Sequence, residues 1–149
     1  MRAVLQRVLG ASVEVDGTVV ASIGKGLMVL AGLHESDTDR DMDYIAGKII
    51  GARIFDDAAG VMNLSVAETG GEVLLVSQFT LYGDLRKGKR PSYSSAMKPE
   101  PAREAFSRFV SKCTSLHPAT RAGIFQADMK VSLVNDGPVT ILIDSGRQF

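Results

Sequence analysis

Apolar positions change period several times along this chain, and each change marks an element. Val4-Leu5-Gln6-Arg7-Val8-Leu9 opens a strand, and Ser12-Val13-Glu14-Val15 and Thr18-Val19-Val20 flank Asp16-Gly17. Both residues of that pair tolerate positive φ, so the dipeptide predicts a two-residue hairpin. Gly26 to Gly32 is continuously apolar, the pattern of a strand buried on both faces. Val73-Leu74-Leu75-Val76 is a second buried run, and it ends in the polar Ser77-Gln78-Phe79-Thr80. Two more strands are expected around 128–134 and 139–143. Asn135-Asp136-Gly137-Pro138 joins them, with Gly137-Pro138 in or beside a tight connection.

Between Asp37 and Phe55 the period becomes helical. Met42, Ile45, Ile49 and Ala52 share one face, while Asp39, Arg40, Asp43 and Lys48 take the other. Ser36 or Asp37 is the expected cap, and acids in the first turn suit the helix dipole better than a metal site. A second helix is predicted from Pro99 or Pro101 to about Ser115, because proline is favoured in a first turn. Phe106, Phe109, Val110 and Cys113 form its apolar stripe, and His117-Pro118 stops it. Many strands with two isolated helices predict an α+β fold. The expectation is one domain over residues 1–149, its two main helices packed on a mostly antiparallel, barrel-like sheet.

Composition narrows the function classes. Seventeen Lys and Arg cancel 17 Asp and Glu, so no global field draws the protein to nucleic acid or to an anionic membrane. A polyanion site must then be a local basic patch, and a near-neutral surface offers little resistance to self-association. The single cysteine, Cys113, excludes an internal disulfide and a Cys-rich zinc site, and its place on the helix stripe makes it a small core residue. Met1-Arg2-Ala3 runs straight into strand sequence without a signal-peptide apolar region, and stretches such as Leu27 to Leu33 fall far short of the ~20 residues a span needs. A cytoplasmic location is expected, with no metal and no cofactor.

Most catalytic constellations are missing. The sequence holds no Gly-x-Ser-x-Gly elbow, no phosphate loop and no Gly-x-Gly-x-x-Gly fingerprint. His34 and His117 lie outside any ligand-spaced cluster and read as surface or loop histidines. What remains favours a site of backbone amides and hydroxyls: Ser77 and Thr80, with the Gln78–Thr80 amides able to hold a developing oxyanion. The same segment also reads as a plain strand end with Phe79 in the core. Arg86-Lys87-Gly88-Lys89-Arg90-Pro91, with Tyr82 and Tyr93 alongside, suits a phosphate backbone and a stacked base, or is simply a solvated basic loop.

At these residues the chain resembles a known family. Ser77-Gln78-Phe79-Thr80 and Asn135-Asp136-Gly137-Pro138-Val139-Thr140 are similar to the two signature motifs of the D-aminoacyl-tRNA deacylases. Gln6-Arg7-Val8, Ala11-Ser12-Val13 and Gly123 to Met129 agree in order, so the likeness runs from Met1 to about Ile143. Gln126 departs from it, standing where relatives usually carry a small residue.

The resemblance implies an ester hydrolase that frees D-amino acids, and misattached glycine, from tRNA. It implies a homodimer with the site at the subunit interface, tRNA as partner and no role for DNA or membrane. Ser77, Gln78, Phe79 and Thr80 would be catalytic, and Arg86, Lys87, Lys89 and Arg90 would hold tRNA. Substrate would be bound by Arg7, Phe125, Met129, Asn135, Gly137 and Pro138. Gly137-Pro138, as a Gly-cisPro wall entering the other subunit's pocket, would reject L enantiomers, and Arg7 would brace it through its carbonyls. Two rivals stay open: a non-catalytic RNA-binding module, and a Thr80-nucleophile esterase or amidase on small substrates.

Overall fold

In the computed structural model, which describes residues 1–148, the first apolar pattern becomes one long strand, β1 (Arg2–Val15). Its buried positions change phase midway: Ala3 and Leu5 enter one core, Val8, Ala11 and Val13 another. Asp16 (φ 49) and Gly17 (φ 78) make the predicted hairpin to β2 (Thr18–Ile23). β3 (Gly26–Gly32) is buried on both faces, with Leu27, Val29 and Ala31 on the helix side and Met28 on the other. β6 (Glu72–Ser77) repeats this, splitting Val73 and Leu75 from Leu74 and Val76. That double burial is why both runs are apolar throughout.

Between these two strands come α1 (Asp39–Gly51) and a small hairpin of β4 (Phe55–Asp56) and β5 (Met62–Leu64). After β6, a 3-10 turn (Phe79–Tyr82) and the basic loop lead to α2 (Pro99–Leu116), β7 (Thr120–Ala122) and β8 (Lys130–Asp144). The helix stripes fill the first core with Met42, Ile45 and Ile49 from α1 and Phe106, Phe109 and Cys113 from α2. Burial pushes the Cys113 thiol up to about 12, consistent with an inert core residue.

The sheet is mixed, which corrects the largely antiparallel expectation. Its order is β2-β1-β3-β6-β7, and β3–β6 and β6–β7 are parallel pairs. The α1-containing crossover makes the first of these possible. The end strands β2 and β7 border a shallow cleft of about 460 Å³, so the sheet curls into a barrel left open along one seam.

A second correction concerns the C-terminal strands. Residues 130–144 are one strand running along β1, with Val134 opposite Gly10 and Thr140 opposite Gln6. Asn135 still pairs with Val8, so residues 136–139 bulge out of a single strand instead of closing a hairpin, and the Gly137–Pro138 peptide there is cis.

Helix ends also differ from expectation. Thr38, not Ser36 or Asp37, caps α1: its N–H and hydroxyl donate to Asp41 Oδ2 at 2.9 and 2.7 Å. Asp37 instead takes the Met1 ammonium at 2.5 Å and the His34 N–H at 2.7 Å. His117 is no surface residue: it is buried at the end of α2, with Nε2 2.8 Å from the Gly71 carbonyl. A ring nitrogen so placed satisfies a carbonyl that burial would otherwise leave unpaired.

Candidate active site

The site begins where β6 runs out. Gln78 still donates its N–H to the Ala31 carbonyl at 2.8 Å, so the strand pairing with β3 extends one residue beyond Ser77. The chain then tightens into the 3-10 turn, whose opening amides, those of Phe79 and Thr80, have no acceptor within the turn. This crossing is close. A Cβ on Gly32 would lie 2.9 Å from the Gln78 carbonyl oxygen and 3.1 Å from Leu81 Cβ, so only glycine lets β3 end there. The Gln78 side-chain amide donates to the Thr80 hydroxyl. Phe79 is 57% exposed, so it does not serve the core.

Beside this strand end lies a cavity of about 550 Å³, lined mainly by apolar side chains. Ser77, Gln78 and Phe79 form one side; Ala102 of α2, Phe125 and Met129 contribute to the rest. Phe125 packs on Phe106 with ring centroids 5.8 Å apart, and the Arg103 guanidinium covers it at 5.2 Å. Gln126, the departure from the family pattern, has a left-handed backbone (φ 67), and its Oε1 accepts from Arg103 Nη2 at 2.8 Å. Residues some fifty positions apart in sequence meet here because α2 carries the chain back across the end of β6.

Thr80 does not line the cavity, and neither do Arg7, Asn135, Gly137 or Pro138 of the same chain. The last four form a second cluster. Asn135 Nδ2 donates to the Arg7 carbonyl at 2.8 Å and to the Val139 carbonyl at 3.2 Å, closing the neck of the bulge. The buried Arg7 side chain donates from Nη1 to the Ile54 carbonyl at 2.7 Å. Its Nε lies 3.0 Å from the Asp136 carboxylate, yet without the alignment of a hydrogen bond. The attraction there is that of charge at short range, and it reaches the Asp136 side chain, not the carbonyls of Gly137 and Pro138. Both of those residues are exposed.

The basic loop is stapled at its stem by the Asp84–Ser92 bridge. Arg86 is spent locally: its Nε and Nη2 bind both Asp84 oxygens at 2.6–3.1 Å, and these bonds hold the Asp84 carboxyl far below the usual carboxylate range. Lys87, Lys89 and Arg90 are exposed and make no ion pair among the described residues. Tyr82 does not accompany the loop. It is buried under the Arg2 guanidinium at 4.7 Å and beside His34 at 5.2 Å, and burial raises its phenol well above the ordinary range. Tyr93 does, at the cavity rim, with its ring 5.1 Å from that of Phe79. Sequence reasoning missed Gly32, Ala102 and Arg103, whose roles depend on contacts across the fold; the glycine ending an apolar run was the only local signal.

The D-Tyr-tRNA(Tyr) deacylase family model matches residues 4–144. A D-aminoacyl-tRNA deacylase of Kosmotoga olearia is 56% identical over 150 residues, covering all of both chains. Another, of Dechloromonas aromatica, is 56% identical over 146 residues and covers 97% of each. Among solved structures, a c-Myc DNA Unwinding Element Binding Protein superimposes with a TM-score of 0.92 at 37% identity, covering 97% of this chain and 98% of that one. A probable eukaryotic D-amino acid tRNA deacylase shares the fold, with a TM-score of 0.83 at 17% identity over 95% of this chain and 97% of its own. With a family match over residues 4–144 and relatives 56% identical over 97–100% of the chain, this chain belongs to the D-Tyr-tRNA(Tyr) deacylase family.

Proposed function

We propose that this protein hydrolyses the ester joining a D-amino acid to the 3′ end of tRNA, releasing both. The observation that carries the reading is the cavity at the end of β6, bordered by Ser77-Gln78-Phe79 in a chain of this family. Editing of this kind corrects what a synthetase pocket admits by mistake.

The chemistry asks little of side chains. An aminoacyl ester next to a ribose 2′-hydroxyl is already activated, and that hydroxyl can orient the attacking water. Amides opening the 3-10 turn, Phe79 and Thr80, would hold the carbonyl oxygen as it gains charge, each contributing on the order of 3 kcal/mol in a dry site. Thr80 acts as a positioner: its hydroxyl is engaged by Gln78, and neither histidine hydrogen-bonds to it. A nucleophilic Thr needs such a base.

Selectivity by hand then falls to Gly137-Pro138, acting on a second copy of the chain. Leu9 of β1, Val134 before the bulge and Leu142 after it are each 57–58% exposed, and β8 is a fifteen-residue edge strand. A long apolar edge of this kind is a surface for pairing. With two copies joined there, each bulge reaches the other's cavity and stands where an L side chain would point. D substrates and glycine pass, and a penalty of ~4 kcal/mol on L would give about a thousandfold discrimination.

Deacylation of D-Tyr-tRNA, D-Asp-tRNA and L-Tyr-tRNA tests the proposal. Release from the D esters with L spared is expected. Binding without release would leave an RNA-binding module, a trapped acyl-enzyme would sink the water mechanism, and a monomer in sedimentation would sink the cross-subunit wall.

A further inference from the structure

We infer that Phe79 and Tyr93 form a stacking subsite for the nucleobase immediately 5′ of the esterified terminal nucleotide. The inference rests on the tRNA reading above and assigns one more position of the substrate. Two aromatic rings stand at the cavity rim, 57% and 37% exposed, where a soluble domain would normally bury them. They meet edge to face, with centroids 5.1 Å apart and planes at 72°.

Their position relative to the basic loop supplies the direction. The loop leaves the rim at Gly83 and returns at Pro91. A Cβ built on Gly83 would lie 3.1 Å from Tyr93 Cε1 and 3.7 Å from Pro91 Cβ, so the Tyr93 ring is packed against the loop's stem. Lys87, Lys89 and Arg90, exposed and without an ion pair among the described residues, extend from that stem. A strand whose last nucleotide enters the cavity therefore meets aromatic surface first and cationic side chains next. That sequence of surfaces matches single-stranded RNA, whose bases stack on aromatic faces while lysine and arginine follow the phosphates. A stack of this type accepts any base, so the subsite would add affinity and orientation without choosing among tRNA species.

The test uses full-length protein and a short single-stranded RNA carrying the fluorescent base 2-aminopurine next to its 3′-terminal nucleotide. Wild-type protein should quench that fluorescence on binding. Tyr93→Leu should abolish the quench and weaken binding about 5- to 150-fold, the range seen when one base–aromatic stack is removed. Tyr93→Phe should behave as wild type, because stacking needs the ring and not the hydroxyl. Lys87→Ala with Lys89→Ala should weaken binding yet keep the quench at saturation. On D-Tyr-tRNA, Tyr93→Leu should raise KM by a similar factor with kcat and Tm held. An absent quench with wild type, or Tyr93→Leu lowering kcat and Tm together, would overturn the subsite. Failure of wild type to hydrolyse D-Tyr-tRNA would instead overturn the deacylase reading, while the fluorescence still reports on the subsite.

Discussion

The side-chain amide of Asn135 donates to the main-chain carbonyl of Arg7 at 2.8 Å, across the point where β8 leaves and later rejoins β1. A second bond from the same nitrogen, to the Val139 carbonyl at 3.2 Å, ties both ends of the bulge. Asn135→Ala removes both and should cost ~1–2 kcal/mol of stability, at ~1 kcal/mol per bond. Asn135→Asp should be at least as harmful, since a carboxylate cannot donate to a carbonyl. The informative readout is the ratio of D-Tyr-tRNA to L-Tyr-tRNA hydrolysis. It should fall in both variants, and an unchanged ratio would detach the neck of the bulge from selectivity.

Pro138→Ala tests the wall proposed for Gly137-Pro138. The pyrrolidine ring fixes φ near −65° and leaves no long side chain to swing aside, so a substrate clash there is not relieved by rotation. Alanine lets the main chain move. Hydrolysis of L-Tyr-tRNA should rise about tenfold or more, equivalent to losing ~1.4 kcal/mol of discrimination, before D-Tyr-tRNA hydrolysis is affected. Equal loss on both enantiomers would point to a collapsed site.

What the sequence made legible was local. Asp16-Gly17 was readable as a turn because two consecutive positive φ angles demand such residues, and the helix stripes were readable because one face of each is apolar. The bulge was misread for the same reason the hairpin was read correctly: Asn-Asp-Gly-Pro is turn chemistry wherever it occurs. Only the shared partner of both flanking segments, β1, distinguishes an excursion from a hairpin. Pairing direction was equally hidden, although the double-faced burial of β3 and β6 was a signal for parallel strands. Motif likeness named Ser77, Gln78, Phe79, Phe125 and Met129 of the cavity lining, but their meeting is a product of the fold, and so is the separation of Thr80, Arg7, Asn135, Gly137 and Pro138 from it.

Gly32 shows how tightly that meeting is set. A methyl group there would collide with the Gln78 carbonyl at 2.9 Å, and backbone cannot yield as a flexible side chain can. Gly32→Ala should therefore push the Ser77–Thr80 segment aside, at ~1–3 kcal/mol of stability. Misplacement by about an ångström at a reacting group can cost ~100-fold in rate, so kcat on D-Tyr-tRNA should fall by that order. Wild-type kcat in Gly32→Ala would mean that the segment is not part of the chemistry.

Asp41 gives the fold a pH-sensitive contact outside the cavity lining. The Thr38 backbone N–H, aided by its hydroxyl, holds the Asp41 carboxyl down at about 2, below its ordinary 3.8. A lowered carboxylate stabilises the fold while ionised, so its contribution is complete above about pH 4 and disappears as pH falls towards 2. Solvent screening keeps the effect small. Asp41→Asn should cost ~1 kcal/mol at neutral pH, the usual value of a helix cap. The gap between wild type and variant in urea unfolding should close below about pH 2; a constant gap would place the stabilisation elsewhere.

Cations in the basic loop are not equivalent, and salt dependence separates them. Lys87 and Lys89 make no ion pair among the described residues, whereas Arg86 is held by both oxygens of Asp84. Every phosphate that the protein no longer neutralises should reduce the slope of log binding constant against log salt by ~0.7–0.9. Lys87→Ala with Lys89→Ala should thus flatten the slope for tRNA by ~1.4–1.8. Arg86→Ala should flatten it less, because Asp84 already neutralises that charge and would be left as a bare anion beside the RNA. Asp84→Asn separates the two effects: freed from its partner, Arg86 can turn to phosphate, and the slope should steepen by up to ~0.9. If Arg86→Ala instead matched a single lysine substitution and Asp84→Asn changed nothing, the Arg86–Asp84 pair would have to open on binding.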